Sequence, residues 1–170
     1  LVVPQLIPAQ VAGTPDYMAP ELVVGRGIPS AAGDRHALAV IIHQLLLYRH
    51  PLRGPKIYSH DQLRDDALAM GPDAVFVDHP TDRSNRPVRE EGRGFWPTRL
   101  LGPTLTDLFG RAFVRGLRDP ERRPLASEWT AALAALWDRL VRCSNPACHE
   151  REHPLAVGAP RTCPWCGARQ

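Results

Sequence analysis

With 170 residues, 44% of them hydrophobic, and a net charge of +3, the chain is long enough for one sizeable core and a small appendage. Its charges are interspersed and Lys56 is the one lysine, so no long basic tract points to nucleic acid. Residues 1 to 12 lack a basic start and are broken by Pro4 and Pro8, so no signal peptide is visible in them. The expectation is a cytoplasmic protein without membrane contact, read as starting inside a longer frame because residue 1 is not Met.

In chain order, residues 1 to 12 mix apolar residues with proline and read as extended. Gly13-Thr14-Pro15-Asp16-Tyr17-Met18-Ala19-Pro20-Glu21-Leu22 reads as a turn followed by a short helix opened by Pro20 at its first position. The central helix is predicted from Asp34 to Tyr48, with the Asp34 carboxylate as its cap. Eight of the ten residues from Leu38 to Leu47 are apolar and point all around the helix, so other elements should wrap it. That run is too short for a bilayer, which takes roughly 18 apolar residues.

Asp61 to Met70 is predicted as a short helix ending at Gly71. Ala74 to Val77 is read as a brief strand or a packed loop, and Asp78 to Arg93, rich in charge and proline, as exposed loop. Leu105, Leu108, Phe109, Ala112, Phe113 and Leu117 form a helical stripe, with Thr104 and Asp107 placed as a capping box. A last helix is predicted from Ala126 to Arg142, with Trp129 and Trp137 as core anchors.

All four cysteines fall in the last 28 residues, as Cys143-x4-Cys148 and Cys163-x2-Cys166 separated by fourteen residues. Such pairs suit tetrahedral zinc, and Gly167 after the last cysteine lets the turn close around a metal. Disulfides are the alternative, disfavoured because nothing suggests secretion. His149 and His153 are reserve ligands, but four thiolates already complete a closed structural shell. So small a ribbon should need its metal to fold.

The G-T-P-x-Y-x-A-P-E stretch resembles the end of the activation segment of Ser/Thr protein kinases. Three more resemblances follow in that family's order. The Gly33-Asp34-Arg35-His36-Ala37-Leu38-Ala39-Val40 run is similar to the start of the kinase F helix. Tyr48-Arg49-His50-Pro51-Leu52 is similar to the G-x-x-P-F after it, and Leu117 to Pro124 to the L-x-x-D-P-x-x-R-P element. The resemblance implies a mainly α, kinase-like C-lobe over residues 1–142, followed by a small zinc ribbon over 143–170. It implies that Gly13, Thr14, Pro15 and Tyr17 face a protein substrate and that Ala19, Pro20 and Glu21 are the APE motif. It further implies that Glu21 pairs with Arg123, and that Asp34 accepts backbone N–H bonds from a catalytic loop.

The chain departs from the family pattern at His36, Ala37, Ala39, Tyr48, Leu52 and Leu125. It also carries no Gly-rich loop, V-A-I-K lysine, H-R-D-x-x-x-x-N or D-F-G. Phosphoryl transfer depends on the positioning those parts supply, so the chain alone is expected to be inactive, with ATP and Mg2+ bound only in a full-length parent. The alternative is a non-catalytic adaptor. The string from Val75 to Pro80, followed by Asn85-Arg86-Pro87, resembles an insertion in a bacterial kinase subgroup of phosphorylation systems. That subgroup implies phosphatase or von Willebrand A-type partners. A nucleic-acid role for the ribbon is a third reading, disfavoured because only Trp165 accompanies its arginines.

Overall fold

The computed structural model describes residues 14–88, 96–155 and 162–170. It is a mainly helical domain with a small C-terminal β-hairpin. A 3-10 turn at Pro15–Tyr17 leads to α1 (Pro20–Val23), where Pro20 sits at the first helical position and gives up only an N–H the helix could not use.

Helix α2 (Ala31–Leu47) is the core element. It begins three residues before the predicted start, because Ser30 Oγ accepts from the Gly33 N–H at 3.2 Å and takes the capping role assigned to Asp34. Its wrapping is also incomplete. Ala39, Val40, Ile42 and Leu47 are buried, whereas Ile41 is 43% and Leu45 70% exposed on the opposite face. The helix ends at Tyr48, which holds a left-handed φ of 56°.

Helix α3 (Gln62–Met70) is capped by the Asp61 carboxylate, which accepts from the Arg64 N–H at 2.8 Å, and it stops at Gly71. Ala74, Val75, Phe76 and Val77 form a packed loop rather than a strand, all buried. The following loop is described as far as Val88, with residues 89–93 outside the described residues, and it is exposed from Pro80 to Ser84 but buried at Asn85. Asn85 is 1% exposed and donates to the carbonyls of Leu52 and Val75 at 2.9 and 2.6 Å. Two backbone carbonyls that would otherwise be stranded are thereby satisfied. Thr98 donates from both N and Oγ1 to Asp78 Oδ2, at 2.7 and 2.6 Å, closing the loop at its base.

Helix α4 (Pro103–Gly110) begins after Gly102, so Pro103 supplies the first position and the Thr104–Asp107 box does not form. Thr106, not Thr104, bonds back through its hydroxyl to the Gly102 carbonyl at 2.8 Å. The helix widens into a π turn at Arg111–Arg115, where the Gly116 N–H reaches the Arg111 carbonyl at 2.8 Å. Helix α5 (Ala126–Trp137) lacks a capping oxygen at Leu125, but the Glu128 carboxylate accepts from the Leu125 N–H at 2.8 Å.

This helix is five residues shorter than predicted, because Leu140–Arg142 leaves it as strand β1, antiparallel to β2 (Glu152–Pro154). Trp129 is the buried anchor expected, but Trp137 is 75% exposed at the helix end. Helices α2, α4 and α5, together with the packed loop, enclose one core. Its centre is aromatic: Phe109 lies 4.9 Å from Trp129 and Phe76 lies 5.4 Å from Phe113, centroid to centroid.

Candidate functional site

Arg123 is the most heavily bonded buried side chain of the core. Its Nη1 donates to Glu21 Oε1 at 2.8 Å and to the Ala32 carbonyl at 2.9 Å, and its Nη2 to Glu21 Oε2 at 2.6 Å. Nε donates to the Gly116 carbonyl at 2.8 Å. One planar guanidinium thus joins α1, the start of α2 and the end of the π turn, with the bidentate geometry that favours arginine over lysine. Gly116 is required there, since a Cβ would lie 2.7 Å from the Arg111 carbonyl oxygen and 2.8 Å from Arg123 Cγ. Burial opposes ionisation of Glu21, but the Arg123 hydrogen bonds outweigh it and hold the carboxyl below its usual range.

The turn before α1 is tied down separately. His50 is buried, and its Nε2–H donates to the Asp16 carbonyl at 2.8 Å while its Nδ1 accepts from the Leu52 N–H at 3.1 Å. Both ring nitrogens are used, which fixes a neutral ring, and burial lowers its pKa. Arg53 bonds the Asp16 carboxylate and reaches Asp66 of α3 at 3.2 Å. Beside this turn lies a cleft of 500 Å³ whose walls include Thr14, Pro15, Met18, Val23, Leu63 and Met70.

Thr14, Pro15 and Tyr17 are exposed along this turn, Ala19 and Pro20 are buried beneath it, and Gly13 lies outside the described residues. Asp34 is exposed in the first turn of α2. His50 and Arg53 were not singled out from the sequence. Each reads locally as an ordinary polar residue, and only the fold brings it to Asp16.

His36 and His43, on the buried face of α2, meet aromatic rings edge-on. His36 lies 5.7 Å from Phe113 and His43 lies 5.1 Å from Phe109. The His43 Nδ1–H donates to the Arg49 carbonyl at 2.8 Å. Burial pushes their pKa values down to about 3 and about 4 respectively, so both rings are neutral at pH 7.

At the C-terminus the four cysteines converge, their sulfurs all within 4.8 Å of one another. Cys143 and Cys166 Sγ are 3.6 Å apart, and Cys148 and Cys163 Sγ 3.8 Å. A tetrahedral centre with metal–sulfur bonds of about 2.3 Å has sulfur–sulfur edges of about 3.8 Å, whereas a disulfide needs about 2.05 Å. The four thiols are free, and the donor set fits zinc.

The turn at the second pair is built as the spacing suggests. Gly167 has φ +75°, its N–H reaches the Cys163 carbonyl at 2.9 Å, and the Cys163 N–H reaches the Ala168 carbonyl at 2.7 Å. Asn145 N–H and Gln170 Nε2 point at Cys143 Sγ from 3.4 and 3.5 Å. The Ala168 N–H draws the Cys166 thiol down to about 7, while burial pushes Cys163 up to about 12. His149 is exposed, and His153 is buried in β2 outside the four-sulfur group. Trp165, between Cys163 and Cys166, donates from Nε1 to the Glu152 carbonyl at 2.8 Å, and its ring meets Trp96 edge-on with centroids 4.3 Å apart. Among the described residues, no helix is long and apolar enough to cross a membrane.

No protein-family model matches the sequence. Over 164 residues, 91% of this chain, it is 28% identical to the protein kinase YegI of Escherichia coli and spans 23% of that protein. A 51-residue stretch, 29% of the chain, is 49% identical to the serine/threonine-protein kinase PknD of Chlamydia felis, covering 5% of it. A 48-residue stretch, 28% of the chain, is 50% identical to the serine/threonine-protein kinase Pkn1 of Myxococcus xanthus, covering 7% of it. The chain therefore spans about a quarter or less of the length of these relatives. Its distant, partial similarity to Ser/Thr protein kinases supports a kinase-family relationship, joined in the same chain to a four-cysteine cluster able to hold a metal.

Proposed function

We propose that this chain is the C-terminal part of a Ser/Thr protein kinase whose full-length parent transfers the γ-phosphate of ATP to protein hydroxyls. The proposed kinase-like lobe covers 1–142 and a structural zinc ribbon covers 143–170. The observation that carries the reading is the Arg123 fork on Glu21. It ties together two kinase-like stretches that lie far apart in the chain, and the similarity to YegI over 91% of the chain supports it independently.

In this reading Gly13, Thr14, Pro15 and Tyr17 face a protein substrate. Ala19, Pro20, Glu21 and Arg123 hold that loop on the helical body, and exposed Asp34 accepts backbone N–H groups of a preceding catalytic segment. ATP and Mg2+ belong to parts of the parent beyond this sequence, because phosphoryl transfer is mostly positioning and none of the positioning motifs is here. The four thiolates form a closed shell with no position for a reacting water, so the metal is structural. The partners are a protein substrate or regulator, and a phosphatase or von Willebrand A-type protein fits the bacterial subgroup; the setting is the cytoplasm.

An antibody against this segment tests the reading on the protein in its own cells. A species much heavier than 18.8 kDa that incorporates phosphate from ATP into protein serine or threonine is expected. A species of 18.8 kDa, or a heavier one without turnover, overturns it. The second reading, a non-catalytic adaptor, then leads; the open cleft beside Thr14 favours it, since that cleft needs no ATP site to bind a protein.

A further inference from the structure

Among the described residues, Trp165 of the ribbon and Arg139, which leads into β1, reach the segment 96–101 from two sides. On one side Trp165 meets Trp96, which packs against the main core. On the other, Arg139 Nη2 donates to the Leu101 carbonyl at 3.2 Å, while the Arg139 carbonyl accepts from the Leu155 N–H at 2.9 Å, just past β2. Between these holds, Thr98 is buried and bonded to Asp78. A path of direct contacts thus runs from the cysteine cluster through Trp165 and Trp96 to the loop that floors the aromatic core.

Trp165 is held at both its backbone and its ring in this arrangement. It occupies the two-residue span between Cys163 and Cys166, so a metal bound by both sulfurs fixes its backbone, and its Nε1–H is committed to Glu152. Among the described residues, the ribbon's own apolar cluster is Cys143, Cys148 and Cys163 with Trp165 and Ala168 packed on it. So small a cluster does not hold a fold together without metal. The ring that meets Trp96 thus sits between two of the four sulfurs that converge.

We propose that the four-cysteine centre is a clasp on the helical body: metal binding seats Trp165 against Trp96 and thereby stabilises residues 96–101 and the core above them. This rests on the four-thiolate metal reading. It goes beyond it in assigning the metal a target outside the ribbon. Loss or oxidation of the centre is then felt in the helical domain, not confined to the hairpin.

The test uses the 170-residue chain purified with zinc, its metal content measured by mass spectrometry and its helix melting followed by circular dichroism. Chelation is expected to lower the helical midpoint by roughly 5 °C. Zinc-loaded Trp96→Ala, altered outside the ribbon, should retain one zinc, melt at or below the lowered midpoint because Trp96 also packs on the core, and lose most of the response to chelator. Trp165→Phe, which keeps a ring, should retain most of the response. One bound zinc with a helical midpoint indifferent to chelator overturns the clasp while leaving the metal site standing. So does a full response in Trp96→Ala. Failure to bind one zinc overturns the metal reading and the clasp together.

Discussion

Replacing Arg123 with alanine should be among the most damaging single changes to the helical body. The side chain is fully buried, and its loss unpairs the Glu21 carboxylate and removes the donor that reaches the Gly116 carbonyl. Breaking a buried ion pair from one side costs about 3–5 kcal/mol. The Glu21 side chain keeps 23% exposure and regains some water, which argues for the lower half of that range. In a chain of this size that corresponds to a fall in Tm of roughly 10 °C.

The neighbouring Arg122→Ala is the control. Its side chain is 65% exposed and pairs with Asp119 at 3.3 Å, a surface contact of the kind worth roughly 0–1 kcal/mol. Thermal and urea melts followed at 222 nm would measure both. Glu21→Gln combined with Arg123→Met should cost less than the sum of the two single changes, because the double variant leaves no lone charge. Equal small shifts for Arg123→Ala and Arg122→Ala would refute the reasoning.

The buried histidines predict a pH dependence. His36 and His43 titrate at about 3 and about 4 when folded, against 6.5 when unfolded, so below pH 6.5 the unfolded chain takes up protons the folded one refuses. Stability is full above that pH and falls as pH drops toward 4, by about 1.4 kcal/mol per pH unit for each ring. His43→Gln, which can still donate to the Arg49 carbonyl, should lessen the fall in urea midpoint between pH 7 and 5; an unaltered pH profile would count against the assignment. Tyr48→Gly should raise stability by roughly 0.5–1 kcal/mol, since a left-handed residue with an exposed ring exchanges strain for glycine's freedom. A lower melting temperature would show that the Tyr48 ring does more than its 78% exposure suggests.

The sequence made some of this architecture legible and hid the rest for identifiable reasons. The cysteine spacing and Gly167 mark the four-cysteine cluster because the whole signal is local. Helix α3 is equally plain, with Asp61 and Gly71 at its two ends. The start of α2 was misplaced because Ser30 caps a first turn of Ala31-Ala32-Gly33 that carries no apolar signal. The π turn is invisible, since the stripe from Leu105 to Leu117 reads as an ordinary helix. Trp137 joins the predicted stripe of α5 only if the helix continues, and the chain leaves it to become β1. Asn85 looks like loop because its partners, the Leu52 and Val75 carbonyls, are backbone atoms that no side-chain pattern announces. Trp96 and Trp165 meet only in space.

The π turn at Arg111–Arg115 also sets the phase between two parts of the molecule. An α-helix turns by about 100° and climbs about 1.5 Å per residue, and a π turn holds one residue more than the turn it replaces. Gly116 is therefore presented about 100° around from where an unbroken helix, aligned on Phe109 and Phe113, would put it. Phe109 before the turn and Phe113 within it stay in the aromatic core, and past the turn the offset aims the Gly116 carbonyl at Arg123. A chain one residue shorter within this turn would have to choose: keep Phe109 and Phe113 in place and swing the Arg123 anchor away, or keep the anchor and rotate the rings out of register.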